Sequence, residues 1–366
     1  MSSPRDQSRK ERPEPGPPSG SDLSERELRV LDAVVRTYVD TAEPAGSRTV
    51  SRKFELGVSA ATVRNTMSDL EDKGYLFRPH ASAGRVPTDR AYRFFVDQMI
   101  HPTPLSEAER EALLRELDPL GSSAVERLVR RATGALSVLS AELGLAISPR
   151  LREAVLEKLD LIALSAEKVL MVATLGGGLA RTIYVDLPGE VPADTLATVA
   201  LVLNERLAGL TLDEIRRSLP ERLHNARSED AAATELLNIF MQAGAELLDP
   251  LVGDDPGVHL GQTSVLAQQP EFQAGERLKR LIELTERREL LSSVLGSREH
   301  PAGLRITIGG EHGATPLSDF TLVTAEYRVG GLKGVIGVVG PTRMPYEKVI
   351  AIVDYTSSLV NRILGS

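Results

Sequence analysis

The stretch SAATVRNTMSDLEDKGYL, residues 59–76, decides how the first part of this 366-residue chain folds. Its apolar residues Val63, Met67 and Leu70 recur at i, i+4 and i+7, which predicts one buried stripe on a helix. The opposite face carries small or hydrogen-bonding side chains, where a solvated helix face would carry glutamate and lysine. These side chains are Ala61, Thr62, Arg64, Asn65 and Ser68. Such a face is suited to contact with another molecule.

Three helices are expected around this stretch. Ser59 precedes the helical pattern as a cap, and Gly74 ends it. Upstream, Ser24 with Glu27 three residues later forms a capping-box signature at the start of a first helix. Ser47 can cap a second helix, SRTVSRKF, between the other two. The first ordered part of the chain is therefore predicted to be helical.

The pattern changes after the third helix. Residues 75–78 form a short strand pattern, residues 79–88 (PHASAGRVPT) form a loop of small residues, and Thr88 or Asp89 begins a fourth helix. Three helices followed by a strand, a loop and a strand are typical of a winged helix-turn-helix. The third helix is then the recognition helix that enters the major groove of DNA, and the loop is the wing.

The recognition helix and its neighbours carry residue types that contact DNA. Asparagine pairs with adenine, arginine pairs with guanine, and alanine or the threonine methyl touches the thymine methyl. The residues expected to read bases are Ala61, Thr62, Arg64 and Asn65. Phosphates are favoured at helix N-termini and beside arginine. The residues expected to position the protein on phosphates or in the minor groove are Arg48, Thr49, Ser59 and Arg85, with His80 either contacting DNA or capping the wing turn.

Positive charge is concentrated in the same segment. Residues 44–93 carry nine basic and five acidic side chains, an excess of four positive charges in a chain of net charge −8. A compact basic segment within an acidic protein is typical of a phosphate-contacting surface, although a chance cluster of solvated arginines gives the same count.

Composition argues against several other classes of protein. The chain has no cysteine, and its six histidines show no HExxH or His-x-His spacing, so no disulfide, thiol nucleophile or metal site is expected. No Gly-x-Ser-x-Gly elbow is present, and neither an enzyme nor a cofactor is expected. No apolar run reaches the roughly 18 residues that cross a bilayer. We therefore expect a cytoplasmic protein without membrane contact.

Two glycine-containing loops have alternative interpretations. Residues 175–179 (LGGGL) resemble part of a phosphate-binding loop, but they lack a following lysine and lie between two strand patterns, which favours a hairpin turn. Residues 340–344 (GPTRM) run from a strand into a helix N-terminus, where Arg343 could help to bind an anion. The favoured interpretation is a structural ion pair of Arg343, or a contact of this loop with the N-terminal helices.

The rest of the chain changes between helical and strand patterns. Helical patterns cover residues 105–117, 124–143, 193–248, 276–295 and 346–364, and strand patterns cover residues 159–165, 169–175, 179–187, 304–308, 320–328 and 333–339. Strands separated by a long helical insert predict one sheet domain that is interrupted by another unit. The expected fold class is α+β with several domains.

Three blocks of this sequence resemble the HrcA family, the bacterial heat-inducible transcription repressors. They are residues 44–99, which contain SAATVRN and SAGRVPTDRAYR, residues 261–272 (GQTSVLAQQPEF) and residues 306–355, which contain GPTRMPY. The resemblance implies an N-terminal winged helix-turn-helix, a GAF-like α/β sheet domain and an inserted dimerising domain. It also implies a homodimer on double-stranded DNA at an inverted repeat, the CIRCE operator, with inactivation by heat and reactivation by the GroE chaperonin.

The predicted domains combine the residue patterns with this resemblance. They are a disordered tail (1–20), the winged helix-turn-helix (21–100), the first part of the GAF-like domain (101–190), the inserted dimerising domain (191–270) and the second part of the GAF-like domain (271–366). The alternative function is a regulator whose GAF-like domain binds a small molecule. An apolar pocket near the strands at 159–187 and 304–339 would favour that alternative.

Overall fold

The protein is described by a computed structural model that combines helices with antiparallel sheets. The residues that the structure describes are 22–117, 125–187, 189–226, 230–252, 257–273, 275–287, 291–293, 295, 303–313 and 315–364, without the side chains of 243–252. The predicted tail, residues 1–20, lies outside them. The expected α+β class is confirmed. Helices and strands are numbered below in chain order.

The N-terminal part, residues 22–99, consists of helices and a two-stranded ribbon, and we refer to it as the N-terminal unit. Its elements are α1 (Glu25–Thr41), α2 (Ser47–Lys53), α3 (Ala60–Asp72), β1 (Leu76–Phe77), β2 (Val86–Pro87) and α4 (Asp89–Phe94), which continues into a π-helical turn (Phe95–Met99). β1 and β2 pair antiparallel, with Leu76 opposite Pro87. The predicted order of elements is confirmed.

The ends of these helices follow from their capping residues. Ser24 and Glu27 form the predicted capping box, in which the backbone N–H of Ser24 donates to the Glu27 carboxylate at 2.7 Å. Ser59 caps α3 through its side-chain oxygen, as predicted. The expectation that Ser47 caps α2 is wrong, because Ser47 is already the first helical residue. The cap position is occupied by Gly46, which has no side chain to accept a hydrogen bond.

A five-stranded antiparallel sheet is the centre of the second part of the chain. Its strands are β3 (Leu143–Ile147), β7 (Val258–Leu260), β8 (Leu304–Ile308), β9 (Phe320–Val329) and β10 (Leu332–Pro341), in the spatial order β7-β3-β10-β9-β8. Helices α6 (Val125–Ser140) and α12 (Tyr346–Leu364) pack on the sheet and on each other, and α5 (Glu107–Leu117) packs on both.

Strand β3 corrects the predicted helix over residues 124–143. The helix ends at Ser140, Ala141 takes a left-handed conformation with φ 59°, and the strand begins at Leu143. All five residues of β3 are buried, so the segment LGLAI shows no alternation of apolar and polar residues. Periodicity cannot distinguish such a short buried strand from the end of a helix.

A second antiparallel sheet has three strands, β4 (Leu156–Ser165), β5 (Lys168–Leu175) and β6 (Leu179–Asp186). Helices α7 (Ala193–Leu207) and α9 (Ala231–Val252) pack on this sheet, and α8 (Leu212–Leu223) packs on both helices. The buried side chains of these elements form a core separate from that of the N-terminal unit. We refer to residues 151–252 as the insert unit.

The pairing of β4, β5 and β6 changes the expected grouping of the strands. The strands at 159–187 were expected to belong with those at 304–339, but within the described residues they pair only with one another. The chain leaves the five-stranded sheet after β3 and returns at β7, and these two strands are neighbours. The N–H of Ser148 donates to the carbonyl of Gly257 at 3.1 Å, so both ends of the intervening segment lie together.

Short elements complete the other side of the five-stranded sheet. They are α10 (Ser264–Ala267), the 3₁₀ turn Pro270–Phe272 and α11 (Glu276–Glu286), whose buried side chains form one core with the sheet. A further 3₁₀ turn, Gly309–His312, follows β8. Phe272 stacks on Phe320 with their ring centres 5.6 Å apart. Helix α11 covers the first part of the helix predicted over 276–295. Residues 291–293 and 295 are also helical, and residues 288–290 and 294 lie outside the described part of the chain.

Candidate nucleic-acid interface

Helix α3 turns its apolar stripe inward and its opposite face outward. Val63, Met67 and Leu70 are buried, with 0%, 3% and 0% of their surface exposed. The other side is accessible, with exposed Ala61, Arg64, Asn65 and Ser68 and half-buried Thr62. The two-faced helix predicted from the residue spacing is confirmed.

The start of α3 is fixed by local hydrogen bonds. The Oγ atom of Ser59 accepts the backbone N–H of Thr62 at 3.1 Å and lies 3.0 Å from the hydroxyl of the same threonine. Ser59 is exposed. This cap leaves other backbone N–H groups of the first turn pointing outward, as an anion requires at a helix N-terminus.

Three exposed arginines beside this face have no acidic partner. Arg48 and Arg52 lie four residues apart on α2 and therefore share one face of that helix, while Arg64 lies on α3. In the part of the chain that the structure describes, none of their guanidinium groups makes a hydrogen bond or an ion pair. Such groups retain their full charge for phosphate oxygens.

Arg52 was not among the residues that the sequence analysis expected to contact DNA. The signal was present in the sequence, because a residue at i+4 from Arg48 must lie on the same helix face. Thr49 is also exposed on α2, next to Arg48. The first and last turns of α2 thus present one threonine and two arginines that are unpaired among the described residues.

The loop between β1 and β2 is the segment predicted to be the wing, and His80 is exposed on it. The N–H of Ala83 donates to the carbonyl of His80 at 2.9 Å, so the turn closes through the main chain. Among the described residues the imidazole of His80 has no hydrogen-bond partner. Side-chain capping of the turn is therefore unnecessary, and the ring is free to contact another molecule.

Arg85 differs from the other eight predicted contact residues because it is buried. Only 6% of its surface is exposed, and its Nη2 lies 2.7 Å from Oε2 of Glu71 on α3. Burial lowers the pKa of Arg85 and the charges of Arg78 and Arg64 lower it further, whereas Glu71 raises it. The structure places this guanidinium inside the joint between α3 and the wing.

Other basic residues of the segment 44–93 are engaged in ion pairs. Lys73 lies 2.9 Å from the carboxylate of Glu27, and Arg93 lies 2.6 Å from that of Glu311. These pairs hold elements together and leave less positive charge available than the count over the segment suggests. The unpaired charge is concentrated on α2 and at the start of α3.

Arg343 joins the N-terminal unit to the region of the five-stranded sheet. Its guanidinium donates two hydrogen bonds to the carboxylate of Glu271, at 2.5 and 2.9 Å, and a third to the carbonyl of Val39 on α1, at 2.6 Å. The hydrogen bonds to Glu271 raise the pKa of Arg343. The predicted structural ion pair is confirmed, and the carboxylate occupies the position that an anion would need.

Helix α4 docks on the turn that follows β8. The carboxylate of Asp89 accepts the N–H of Gly310 at 2.8 Å, and Arg93 donates two hydrogen bonds to Glu311, both at 2.6 Å. A Cβ atom at Gly309 would lie 2.3 Å from the Asp89 carboxylate, so only glycine permits this approach. These contacts fix the N-terminal unit on the sheet.

A cleft of about 360 Å³ lies at the same junction. Its rim carries the ion pairs Arg36–Glu347, Lys53–Asp40 and Lys348–Glu109, and its apolar lining includes Phe54, Phe95, Leu105, Met344 and Tyr346. The rim charges therefore balance one another. The cleft is not located between the strands where an effector pocket was expected.

Two further features bear on other classes of function. In the described residues, no three side chains from histidine, aspartate and glutamate form a group that could hold a metal ion. None of the described helices has both the length and the apolar character needed to cross a membrane.

Comparisons with known proteins give one consistent family. Residues 126–350 match the family described as HrcA protein C terminal domain. The heat-inducible transcription repressor HrcA of Chlorobium phaeobacteroides (strain BS1) is 37% identical over 362 residues, which cover 94% of this chain and 99% of that protein. The repressor of the same description from Symbiobacterium thermophilum is 36% identical over 344 residues, which cover 92% of this chain and 97% of that protein.

A solved structure, described as that of a hypothetical protein, has a similar fold. The TM-score is 0.64 at 21% sequence identity, and the match covers 94% of this chain and 99% of that chain. At this identity the similarity extends to the fold alone.

Proposed function

The chain belongs to the HrcA family of heat-inducible transcription repressors, and we propose that it represses chaperone operons by binding an inverted-repeat CIRCE operator as a dimer. The observation that carries this proposal is the outward face of α3. Arg64 and Asn65 are exposed there beside the unpaired guanidinium groups of Arg48 and Arg52. Base-reading side chains next to unpaired positive charge suit a major groove bordered by phosphates.

In this proposal the N-terminal unit acts as a winged helix-turn-helix with α3 as the recognition helix. The base-reading residues are Ala61, Thr62, Arg64 and Asn65, and the phosphate or minor-groove contacts are Arg48, Thr49, Ser59 and His80, with Arg52 added. Arg85 is left out of the contact set because its side chain is buried. A cytoplasmic location follows from the need to reach the chromosome.

The second part of the proposal concerns the body of the protein. The five-stranded sheet with its helices would be the GAF-like domain, and the insert unit would be the dimerising domain. The insert unit has its own core and is joined at two neighbouring strands, which supports treating it as one inserted domain. Its border would then lie near residue 150 and not near residue 190.

An exposed apolar row on the insert unit supports dimerisation. Ile162, Leu170 and Tyr184 lie side by side across β4, β5 and β6. Ile162 is 48% exposed, Tyr184 is 70% exposed, and the neighbouring Leu164 is 51% exposed. Contiguous apolar surface of this kind marks an interface, and the same surface on two copies can form a two-fold contact.

Heat inactivation and GroE dependence complete the proposal. The five-stranded sheet is assembled from β3, β7 and β10, which come from distant parts of the sequence. Such sheets fold slowly and expose apolar surface while they fold. A chaperonin that assists this step would return the protein to its DNA-binding form, which links repression to chaperonin supply.

The deciding experiment is a footprint and a binding titration on a CIRCE inverted repeat, with a scrambled repeat of equal length as control. We expect protection of both half-sites, because a dimer places two recognition helices about 34 Å apart or a multiple of that distance. Changing the spacing by half a helical turn should abolish tight binding. Equal affinity for the operator and the scrambled DNA would contradict the proposal.

The alternative proposal is a regulator that responds to a small molecule. The observation in its favour is the cleft at the junction of α1, α2 and α12. A ligand there would act on the orientation of the N-terminal unit. A thermal-shift screen of metabolites, followed by operator titration with any compound that stabilises the protein, would separate the two proposals.

A further inference from the structure

The base of the wing is held by the backbone of Arg85. Its N–H donates to the carbonyl of Ala45 at 2.9 Å, and its own carbonyl accepts the N–H of Ala45 at 2.8 Å. A Cβ atom at Gly84 would lie 2.5 Å from the carbonyl oxygens of Pro44 and Ala45, so only glycine lets the wing come this close. The wing is thereby joined to the turn between α1 and α2.

The side chain of Arg85 reaches from the wing to α3. Its Nη2 lies 2.7 Å from Oε2 of Glu71, and the same oxygen lies 3.9 Å from Nη2 of Arg78. Arg78 directly follows β1, and Arg85 directly precedes β2. One carboxylate on the recognition helix therefore faces an arginine at each end of the wing loop.

The ion pair between Arg85 and Glu71 contributes little net stability, because burying the guanidinium costs it its contacts with water. The Nε atom of Arg85 is buried and has no hydrogen-bond partner among the described residues. A guanidinium removed from water gains little net stability from one half-exposed carboxylate, and an apolar side chain often serves as well. An ion pair does, however, fix direction, because the planar guanidinium must meet the carboxylate in a defined geometry.

We propose that Glu71 and Arg85 are positioning residues, which set the angle of the wing against α3 without contacting DNA. The inference rests on the proposed DNA-binding function. It replaces the phosphate contact expected for Arg85, since a side chain with 8% exposure offers almost no surface to a phosphate. It also gives a role to Glu71, which the sequence pattern did not single out.

If Glu71 only repels DNA, removing its charge should have the opposite effect on DNA binding from the effect expected if Glu71 positions the wing. An acidic residue near a phosphate surface repels DNA, so neutralising it should strengthen binding. If Glu71 instead holds the wing through Arg85, removing its contact should weaken operator binding. Asp72 is the matched control, because it is the next residue on α3, is exposed, and has no ion-pair partner among the described residues.

The experiment compares the full chain with Glu71→Asp, Glu71→Gln, Arg85→Met and Asp72→Asn on operator and scrambled DNA. Glu71→Asp keeps the charge and shortens the reach by one methylene. We expect Glu71→Asp, Glu71→Gln and Arg85→Met each to lose about tenfold in operator affinity with little change on scrambled DNA. The double variant Glu71→Gln with Arg85→Met should be no weaker than either single variant, and Asp72→Asn should bind slightly more tightly.

A different pattern of affinities is expected if Arg85 contacts DNA directly. If Arg85 contacts a phosphate, Arg85→Met weakens both DNAs alike and lowers the salt slope on scrambled DNA by about one unit. Glu71→Asp would then bind the operator as tightly as the unmodified chain. Either result would overturn the positioning role.

A measurement without DNA keeps this test separate from the proposed function. Amide hydrogen exchange over residues 76–87 should rise in Glu71→Asp and stay unchanged in Asp72→Asn, with the rest of the N-terminal unit unaffected. Unchanged exchange in Glu71→Asp would refute the positioning role and leave the proposed function untouched. An unmodified chain that does not prefer the operator would refute the proposed function, while the exchange result would still report on the joint.

Discussion

At the scale of single residues, Asn65 and Arg48 should affect DNA binding in different ways. Asn65→Ala should cost about 1–3 kcal/mol at one operator base pair and relax discrimination there, because a base contact is lost. Arg48→Ala should weaken binding to all sequences and reduce the salt slope by about one unit, because a phosphate contact is lost. Competition titrations at several salt concentrations measure both effects.

Arg127→Ala serves as the charge control for Arg48→Ala. Arg127 is exposed on α6, outside the N-terminal unit. It should leave both the affinity and the salt slope unchanged. If Asn65→Ala weakened operator and scrambled DNA equally, α3 would not be the helix that reads the sequence.

Glu27 makes a second prediction at this scale, on acid stability. Burial would raise its pKa, but hydrogen bonds from Lys73 and Ser24 outweigh burial and lower the pKa to about 2. Because the pKa in the folded state lies below the unfolded value near 4.5, ionised Glu27 stabilises the fold at neutral pH. This stabilisation should be lost as the pH falls from about 5 to about 2.

Denaturant titrations of Glu27→Gln across this range test the point. At pH 7 the variant should be less stable by about 1 kcal/mol, since the capping box is weakened. Its stability should depend less on pH below 5 than that of the unmodified chain. Parallel pH profiles for the two proteins would show that the Lys73 contact carries no ionic stabilisation.

The residues also show where prediction from sequence ends. The caps Ser24 and Ser59 and the buried stripe of α3 could be predicted, because they depend on partners within a few positions. The burial of Arg85 could not, because it depends on Glu71, which meets Arg85 only after the chain has passed through β1 and the wing. Residue type alone indicated an exposed phosphate contact.

At the scale of elements, local patterns were sufficient for amphipathic helices and insufficient for short buried strands. The helices α1, α3 and α12 follow from one apolar stripe each. All five residues of β3 are buried, so it shows no alternation, and β7 has three residues, of which one is buried, too few to show a period. Their pairing also determines where the insert unit begins, which explains why the expected grouping of strands was wrong.

The glycines of the β5–β6 turn give a prediction with an internal control. Residues 175–179 form the expected hairpin, with Gly177 and Gly178 both in the left-handed region, at φ 77° and 74°. A Cβ atom at Gly177 would lie 2.1 Å from Cα of Gly330, in the turn between β9 and β10, whereas a Cβ atom at Gly178 meets nothing within 4 Å. The absence of a side chain at Gly177 therefore allows the β5–β6 and β9–β10 hairpins to touch.

Gly177→Ala and Gly178→Ala should share the strain of a left-handed alanine, about 1–2 kcal/mol. Gly177→Ala should cost a further 1–3 kcal/mol, roughly, because the two turns must separate. Thermal unfolding of the two variants measures the difference. Equal unfolding temperatures would mean that the contact between the hairpins contributes nothing to stability.

At the scale of the whole molecule, dimerisation should depend on the exposed apolar row of the insert unit. Tyr184→Lys places a charge in the row formed with Ile162 and Leu170, so it should produce monomers at micromolar concentration. Operator affinity should fall by about 10²-fold or more, because two linked half-site contacts become independent. Sedimentation and DNA titration of the full chain measure both effects.

Val138→Lys is the matched control for the dimer. Val138 is 64% exposed and lies on α6, outside the insert unit. It should leave the dimer intact, which distinguishes loss of the row from a general effect of added charge. A dimeric Tyr184→Lys protein would move the proposed interface away from this sheet.

The response to heat also belongs to the whole molecule, since the N-terminal unit is oriented by contacts with segments far along the chain. Arg343, Arg93 and Asp89 hold it on the five-stranded sheet, whose own strands come from separated segments. Warming that opens these contacts should give a state that cannot place two recognition helices on an inverted repeat. Recovery then requires slow refolding of long-range strand pairs.

We predict that chaperonin with ATP, added after mild heating, raises the fraction of operator-binding protein above that recovered by cooling alone. Arg343→Met should lower the temperature at which operator binding is lost, and this loss should also be reversed by chaperonin. If a small molecule restored binding fully while chaperonin had no effect, regulation would instead act through a ligand, and the cleft beside Tyr346 would be the first place to look for it.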